Sequence, residues 1–186
     1  MARSARFIAF TVGSIAFCAI GVLGYRAWAP KSAGWITFSP PVRSFSILLP
    51  GEPQQEDQEA VSDSTRPPTT IHFVTAEGTT STFFCHYWDL SYTPAGEADE
   101  QIAMAGSRDG MIRNYDGKLL SSQASISDGH YAQDFTATTT DNGIMEGRFF
   151  IVGQRLYMLA VARPAEEDDE VTKTFFNSFK LSFSSR

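Results

Sequence analysis

Apolar residues recur along this chain at distinct periods, and each period predicts a different element. Residues 7–25 form an apolar run without a charge. A helix that crosses a bilayer needs about 20 such residues, so the run predicts a transmembrane anchor. Further along, apolar and polar residues alternate, which is the period of a strand. Alternation marks residues 35–38, 44–49, 71–76, 80–90, 118–127, 130–139, 144–152 and 155–163. Helical period takes over in residues 94–115, where Ala98, Ile102, Ala105 and Ile112 form a stripe that Met104, Met111 and Tyr115 widen. It returns near the C-terminus, where Val171, Phe175, Phe176 and Phe179 share one helical face. The acids before them, Glu166, Glu167, Asp168, Asp169 and Glu170, suit the positive end of a helix dipole.

Two of the alternating runs are apolar on both faces. Phe83, Cys85 and Tyr87 interleave with Phe84, His86 and Trp88; Tyr157, Leu159 and Val161 interleave with Leu156, Met158 and Ala160. Such strands belong in the middle of a sheet, covered on both sides. In residues 144–152, Met145, Phe149 and Ile151 share a face, with Gly147 between them. Turn residues separate the runs: Gly78, Asp128-Gly129, Asp141-Asn142-Gly143 and Gly153. Asp-Gly between alternating runs is a strong hairpin signal. The predicted fold is therefore α+β, an antiparallel sheet built as a meander of hairpins and covered by two helices. Residues 117–163 supply four consecutive strands of the meander, and Asp116-Gly117 ends the first helix. Residues 52–70 are polar, acidic and proline-bearing, and predict a long exposed loop.

Arg3 and Arg6 precede the apolar run, and Arg26 and Lys31 follow it. The denser positive charge on the short side orients residues 1–6 to the cytoplasm. Residues 26–34 then read as a linker and residues 35–186 as one extracytoplasmic domain. Ala27-Trp28-Ala29 resembles a signal-peptide cleavage site, but Pro30 would stand just after the cut, so an uncleaved anchor is the favoured reading.

Composition narrows the function. The 186 residues carry a net charge of -6, which argues against nucleic acid or anionic lipid as ligand. Fifteen phenylalanines supply apolar area for a core without disulfides. Of the two cysteines, Cys18 lies in the apolar run, which leaves Cys85 alone in the domain.

Chemistry is sparse. The three histidines, His72, His86 and His130, lack metal-ligand spacing. His72 would face Cys85 across the Gly78 turn in one register, and a thiol–imidazole pair would need an orienting carboxylate such as Asp89 or Asp134. The plainer expectation is a core cysteine beside a strand histidine. Carboxylates cluster at Glu56, Asp57 and Glu59, at Glu97, Asp99 and Glu100, and at Asp168 and Asp169, all in polar runs that read as solvated faces. Asp141-Asn142-Gly143 is the nearest fragment to a calcium loop and is better explained as a turn. No catalytic, cofactor-binding or metal residue is assigned, and no cofactor is implied.

The opening TFSPPVRSFSILLPGEP, the hairpin SDGHYAQDF and the close GRFFIVGQRLYMLAV with FFNSFKL resemble a group of bacterial membrane-anchored domains of unknown function. Their fold is similar to the PsbP-like α/β sandwich, and the resemblance spans roughly residues 35–183. It implies a non-enzymatic binding role and brings no catalytic residues with it. The chain lacks the extended basic docking surface that would suggest a photosystem subunit. The expectation is thus a tethered binding or assembly domain that meets a partner bearing a basic patch, with residues 52–70 as recognition loop. A small thiol enzyme built on Cys85 and a histidine, or a purely structural envelope protein, are the alternatives.

Overall fold

The computed structural model describes residues 34–41, 44–60, 68–140, 142–166 and 170–182. The expected tail and anchor, residues 61–67 of the 52–70 stretch, Asp141, residues 167–169 and Phe183 lie outside them. Among the described residues no helix is long and apolar enough to cross a membrane.

Among the described residues, ten strands and two helices follow one another as β1 (Trp35–Phe38), β2 (Phe45–Pro50), β3 (Gln54–Ala60), β4 (Thr69–Glu77), β5 (Thr82–Asp89), α1 (Glu97–Asn114), β6 (Leu119–Ser127), β7 (His130–Thr138), β8 (Ile144–Val152), β9 (Arg155–Arg163), α2 (Glu170–Ser178) and β10 (Lys180–Leu181). Seven strands make the main sheet in the order β3-β4-β5-β9-β8-β7-β6, and every pairing is antiparallel. The doubly apolar runs are β5 and β9, and they sit side by side in the middle. The meander from residue 117 to 163 is β6-β7-β8-β9, as expected.

One face of this sheet carries Phe83, Cys85, Tyr87, Tyr157, Leu159 and Phe150. A small second sheet, β1-β2-β10, covers it together with α2. Phe45 is the hub of that layer: its ring lies 5.2 Å from Phe179, 5.3 Å from Tyr87 and 5.7 Å from Tyr157. The other face carries Phe84, Leu156, Met158, Met145, Phe149 and Phe135, and α1 covers it with Met104, Met111 and Ile112. The expected sheet with two helices is thus a three-layer arrangement in which a second sheet shares one cover.

Details of several expectations change. Residues 54–60 are the edge strand β3, not part of a loop. Its sequence QQEDQEA shows no apolar alternation because an edge strand exposed on nearly every residue has no face to bury. In α1 the buried stripe is Met104, Met111 and Ile112, while Ile102 is 65% exposed. In α2 the buried positions are Thr172 and Phe175, and Val171 faces out. Phe179 packs from just beyond the helix, because the chain turns into β10 and pairs with β2.

Local chemistry explains where elements stop. At the end of α1, Asp116 adopts φ 46 and the Gly117 N–H donates to the Ile112 carbonyl at 2.9 Å, while the Asp116 N–H donates to Arg113. This pair of bonds is a Schellman closure. Gly117 is required there for room rather than for φ, since a Cβ would run into the Thr138 carbonyl. Between β6 and β7, Asp128 and Gly129 both take positive φ, the type I′ pattern that suits strand twist.

Candidate functional site

The proposed thiol–imidazole pair does not form. Strands β4 and β5 meet in the register His72↔Tyr87 and Thr75↔Phe84, which sets His72 opposite Tyr87 and away from Cys85. Cys85 is fully buried in the core under the small sheet, and burial pushes its thiol far above the ordinary range. A thiol held protonated and shielded is a poor nucleophile. Of the two carboxylates considered as orienters, Asp89 takes a two-point contact from Arg155, at 2.7 and 2.9 Å, and Asp134 takes one from Arg148, at 2.6 and 3.0 Å.

The neighbouring side chain on β5, His86, points to the opposite face. It lies edge-on to Phe73 at 4.6 Å and to Phe84 at 5.7 Å. Burial lowers its pKa to about 3 from an ordinary 6.5. The sign of the linkage follows: above about pH 6.5 neither state binds this proton, whereas below it the unfolded chain does and the folded one does not. Stability should therefore fall as pH drops from about 6.5 toward 3. Urea unfolding at pH 7 and pH 5 should show the loss, and His86→Leu should remove that part of it. Equal slopes in both proteins would rule the effect out.

His72 belongs to a polar constellation at the β3–β4–β5–β9 end of the sheet. Its Nδ1 stands 2.7 Å from the Asp57 carboxylate, across the pairing Asp57↔His72. Its ring stacks on Tyr87 at 4.5 Å, and the Arg155 guanidinium lies 5.8 Å over the same Tyr87 ring. The hydrogen bond from Arg155 holds the Asp89 carboxyl below its usual range against the opposing effect of burial. Burial raises Tyr87 and Tyr157. An open hollow of about 450 Å³ adjoins this row, lined by Thr69, Thr70, His72, Asp89, Ser91 and Gln154. On its outer side runs β3, with Glu56, Asp57 and Glu59 exposed. These acids are three of the carboxylates that the sequence places in a solvated run; pairing onto β4 turns them into a fixed acidic edge.

A second, smaller groove of about 240 Å³ opens at the other end of the same face, between β6, β7, β8 and α2. Asp134, Thr136 and Arg148 floor it, Ser121 and Gln123 of β6 form its rim, and Phe176 walls it. Arg148 stacks over Phe176 at 5.5 Å while bound to Asp134, so the guanidinium is fixed from two sides. Sequence reasoning does not single out Arg148 and places Phe176 only on the apolar face of the last helix; the register Asp134↔Arg148 brings the ion pair together. The remaining histidine, His130, opens β7 at the Asp128-Gly129 turn, and Asn142 adopts φ 61 in a turn whose N–H bonds to Thr139.

No protein-family model and no curated protein matches this chain. Among solved structures, it is similar to cyanobacterial PsbP (CyanoP) from Synechocystis sp. PCC 6803, with a TM-score of 0.53 and 13% identity over 88% of this chain and 99% of that one. It also aligns with a protein of unknown function from Pseudomonas aeruginosa, described as a putative regulator, at a TM-score of 0.33 and 8% identity over 70% of this chain and 83% of that one. The second value is too low to support a shared architecture. The first shows that the described domain has a PsbP-like fold, in agreement with the resemblance carried by its turns and apolar runs.

Proposed function

We propose that this chain is a binding or assembly domain, tethered to the outer face of a membrane by residues 7–25, that recognises a protein through its acidic sheet edge. The observation that carries the reading is the layout of β3, where Glu56, Asp57 and Glu59 stand on an exposed edge strand beside the His72–Asp89 hollow. Carboxylates along an edge discourage addition of another strand. They favour instead a partner that brings basic side chains to the edge and polar groups to the hollow. Charge of one sign over such a strip steers an oppositely charged surface, and the attraction weakens as salt rises. The thiol-enzyme alternative has less support, because Cys85 is walled in by the core.

A photo-crosslinking residue placed at Gln55 or Thr70 of the full chain, in its native membrane, tests the proposal. One discrete adduct is expected from these positions. It should fade with added salt and with Glu56→Lys plus Glu59→Lys, and it should survive Cys85→Ala. Absence of an adduct, or loss of biological activity in a stable Cys85→Ala chain with the adduct intact, would replace binding with thiol chemistry as the working function.

A further inference from the structure

The two edges of the main sheet differ in chemistry. Strand β3 is acidic, whereas β6 reads LLSSQASIS and carries no charge from Leu119 to Ser127. Almost every residue of β6 is exposed, and among the described residues it pairs with β7 alone. Leu120 is 54% exposed and Ile126 is 66% exposed. A long, neutral, partly apolar edge is what natural sheets avoid when they must stay single. The bulge of β6 lies between Leu119 and Ser121, at its first residues, and leaves the pairing regular from Ser121 to Ser127.

We propose that the chain pairs with a second copy of itself, antiparallel, β6 against β6, about Gln123. The sequence of the strand is self-complementary in that register. Leu120 falls opposite Ile126 of the second copy, Ser121 opposite Ser125 of the second copy, and Ser122 opposite Ala124 of the second copy. Two-fold symmetry repeats each pair, so the Leu120–Ile126 contact forms twice, Leu120 and Ile126 of each copy are covered, and no charge meets a like charge. The same operation on β3 would bring rows of carboxylates together, which is destabilising. Charge therefore selects β6 as the joining edge.

The pairing has a consequence for the smaller groove. Ser121 and Gln123 of β6 form its rim. Joining two copies at Gln123 sets their grooves side by side across the axis, with Gln123 of each copy standing at the shared border. Two half-sites floored by Asp134 and Arg148 become one symmetric trough. On the opposite face, Arg108 of α1 donates to Ser122 Oγ at 3.0 Å, which places α1 beside the axis. None of this depends on recognition at β3, which lies at the far edge of each copy.

The test uses the full chain in detergent with Cys18→Ser, so that the buried Cys85 is the one native thiol left. Residues directly opposite in an antiparallel pair have Cα atoms about 4.5–5.5 Å apart, a span that a disulfide bridges. Gln123→Cys should give a covalent dimer under mild oxidation several-fold faster than Gln55→Cys on β3. Adding Ile126→Lys should bring the rate at Gln123→Cys down to that of Gln55→Cys and should shift the protein mass, read by light scattering without the cysteine change, from dimer to monomer. Ile126 is exposed, so at dilutions where both chains are monomeric the melting temperature of the Ile126→Lys chain should match that of the parent. Equal rates at the two edges would assign association to the apolar run or to chance collision and overturn the proposal. So would a dimer that survives Ile126→Lys, or crosslinking of Gln123→Cys in membranes to a different protein in place of a second copy.

Discussion

Phe175→Ala should destabilise the domain by about 3–5 kcal/mol. The side chain is fully buried between α2 and the main sheet, with its ring edge-on to Phe83 at 5.3 Å and tilted against Phe176 at 5.4 Å. Truncation removes the transfer energy of the ring and leaves a hole between two covers that cannot both move in. The small sheet is pinned to the main one through Phe45, and α2 is pinned to β2 by the Leu48 N–H, which donates to Ser178 Oγ at 2.9 Å. A domain of ordinary stability holds about 5–15 kcal/mol, so the loss approaches the whole margin. Val171→Ala on the same helix should change stability by less than about 0.5 kcal/mol, since Val171 is 40% exposed. Urea midpoints for the two variants check this contrast. A Phe175→Ala change no larger than that of Val171→Ala would mean that α2 does not close the core.

The main sheet was legible wherever burial imposes a pattern. Strands β5 and β9 announce themselves by apolar residues on both faces, and the structure sets them side by side at the centre. The turn at Asp128-Gly129 was readable because Asp-Gly tolerates the positive φ found at both positions. Strand β3 was not readable, because an edge exposed on both faces obeys no period, and QQEDQEA has the composition of a loop. The faces of the helices were read only in part, for a related reason. In α1 the stripe drawn by spacing holds the buried Met104, Met111 and Ile112 but also takes in the exposed Ile102, and in α2 it takes Val171 where Thr172 is buried. Which stripe points inward is decided by the sheet that the helix lands on.

The candidate site was less legible than the fold. Register decided it, and register is a long-range property. A shift of one residue between β4 and β5 would carry His72 to the other face; the observed pairing stacks it on Tyr87 instead. The Asp89–Arg155 pair joins residues 66 positions apart, and the Asp134–Arg148 pair joins residues 14 apart. The first depends on β5 meeting β9, which no local signal announces. The second sits within one hairpin of the meander, and alternation from the Asp141-Asn142-Gly143 turn would have found it.

Gly147→Val should be more damaging than any exposed-strand substitution, with a loss at or above the upper end of about 1–3 kcal/mol that overpacking brings. Intrinsic preference points the other way. Valine suits a strand, and glycine in a strand interior is unfavourable by roughly 0.5–1 kcal/mol relative to alanine. Packing decides the sign. Gly147 pairs with Phe135 across β7 and β8, and the ring of Phe135 lies over the bare Cα. A Cβ would stand 2.5 Å from Phe135 Cζ, 3.1 Å from Cδ1 and closer still to Cε1. The ring cannot swing clear, because it stacks on Phe149 at 5.8 Å and is buried in the layer under α1. Steric overlap of this kind outweighs the strand preference, so even Gly147→Ala should destabilise. The origin can be isolated by combining Gly147→Val with Phe135→Ala. Removing the ring vacates the space the new side chain needs, so the pair should be far less destabilised than the sum of the single changes. Additive losses in thermal or urea unfolding would place the fault in the backbone of β8 and not in the ring above it.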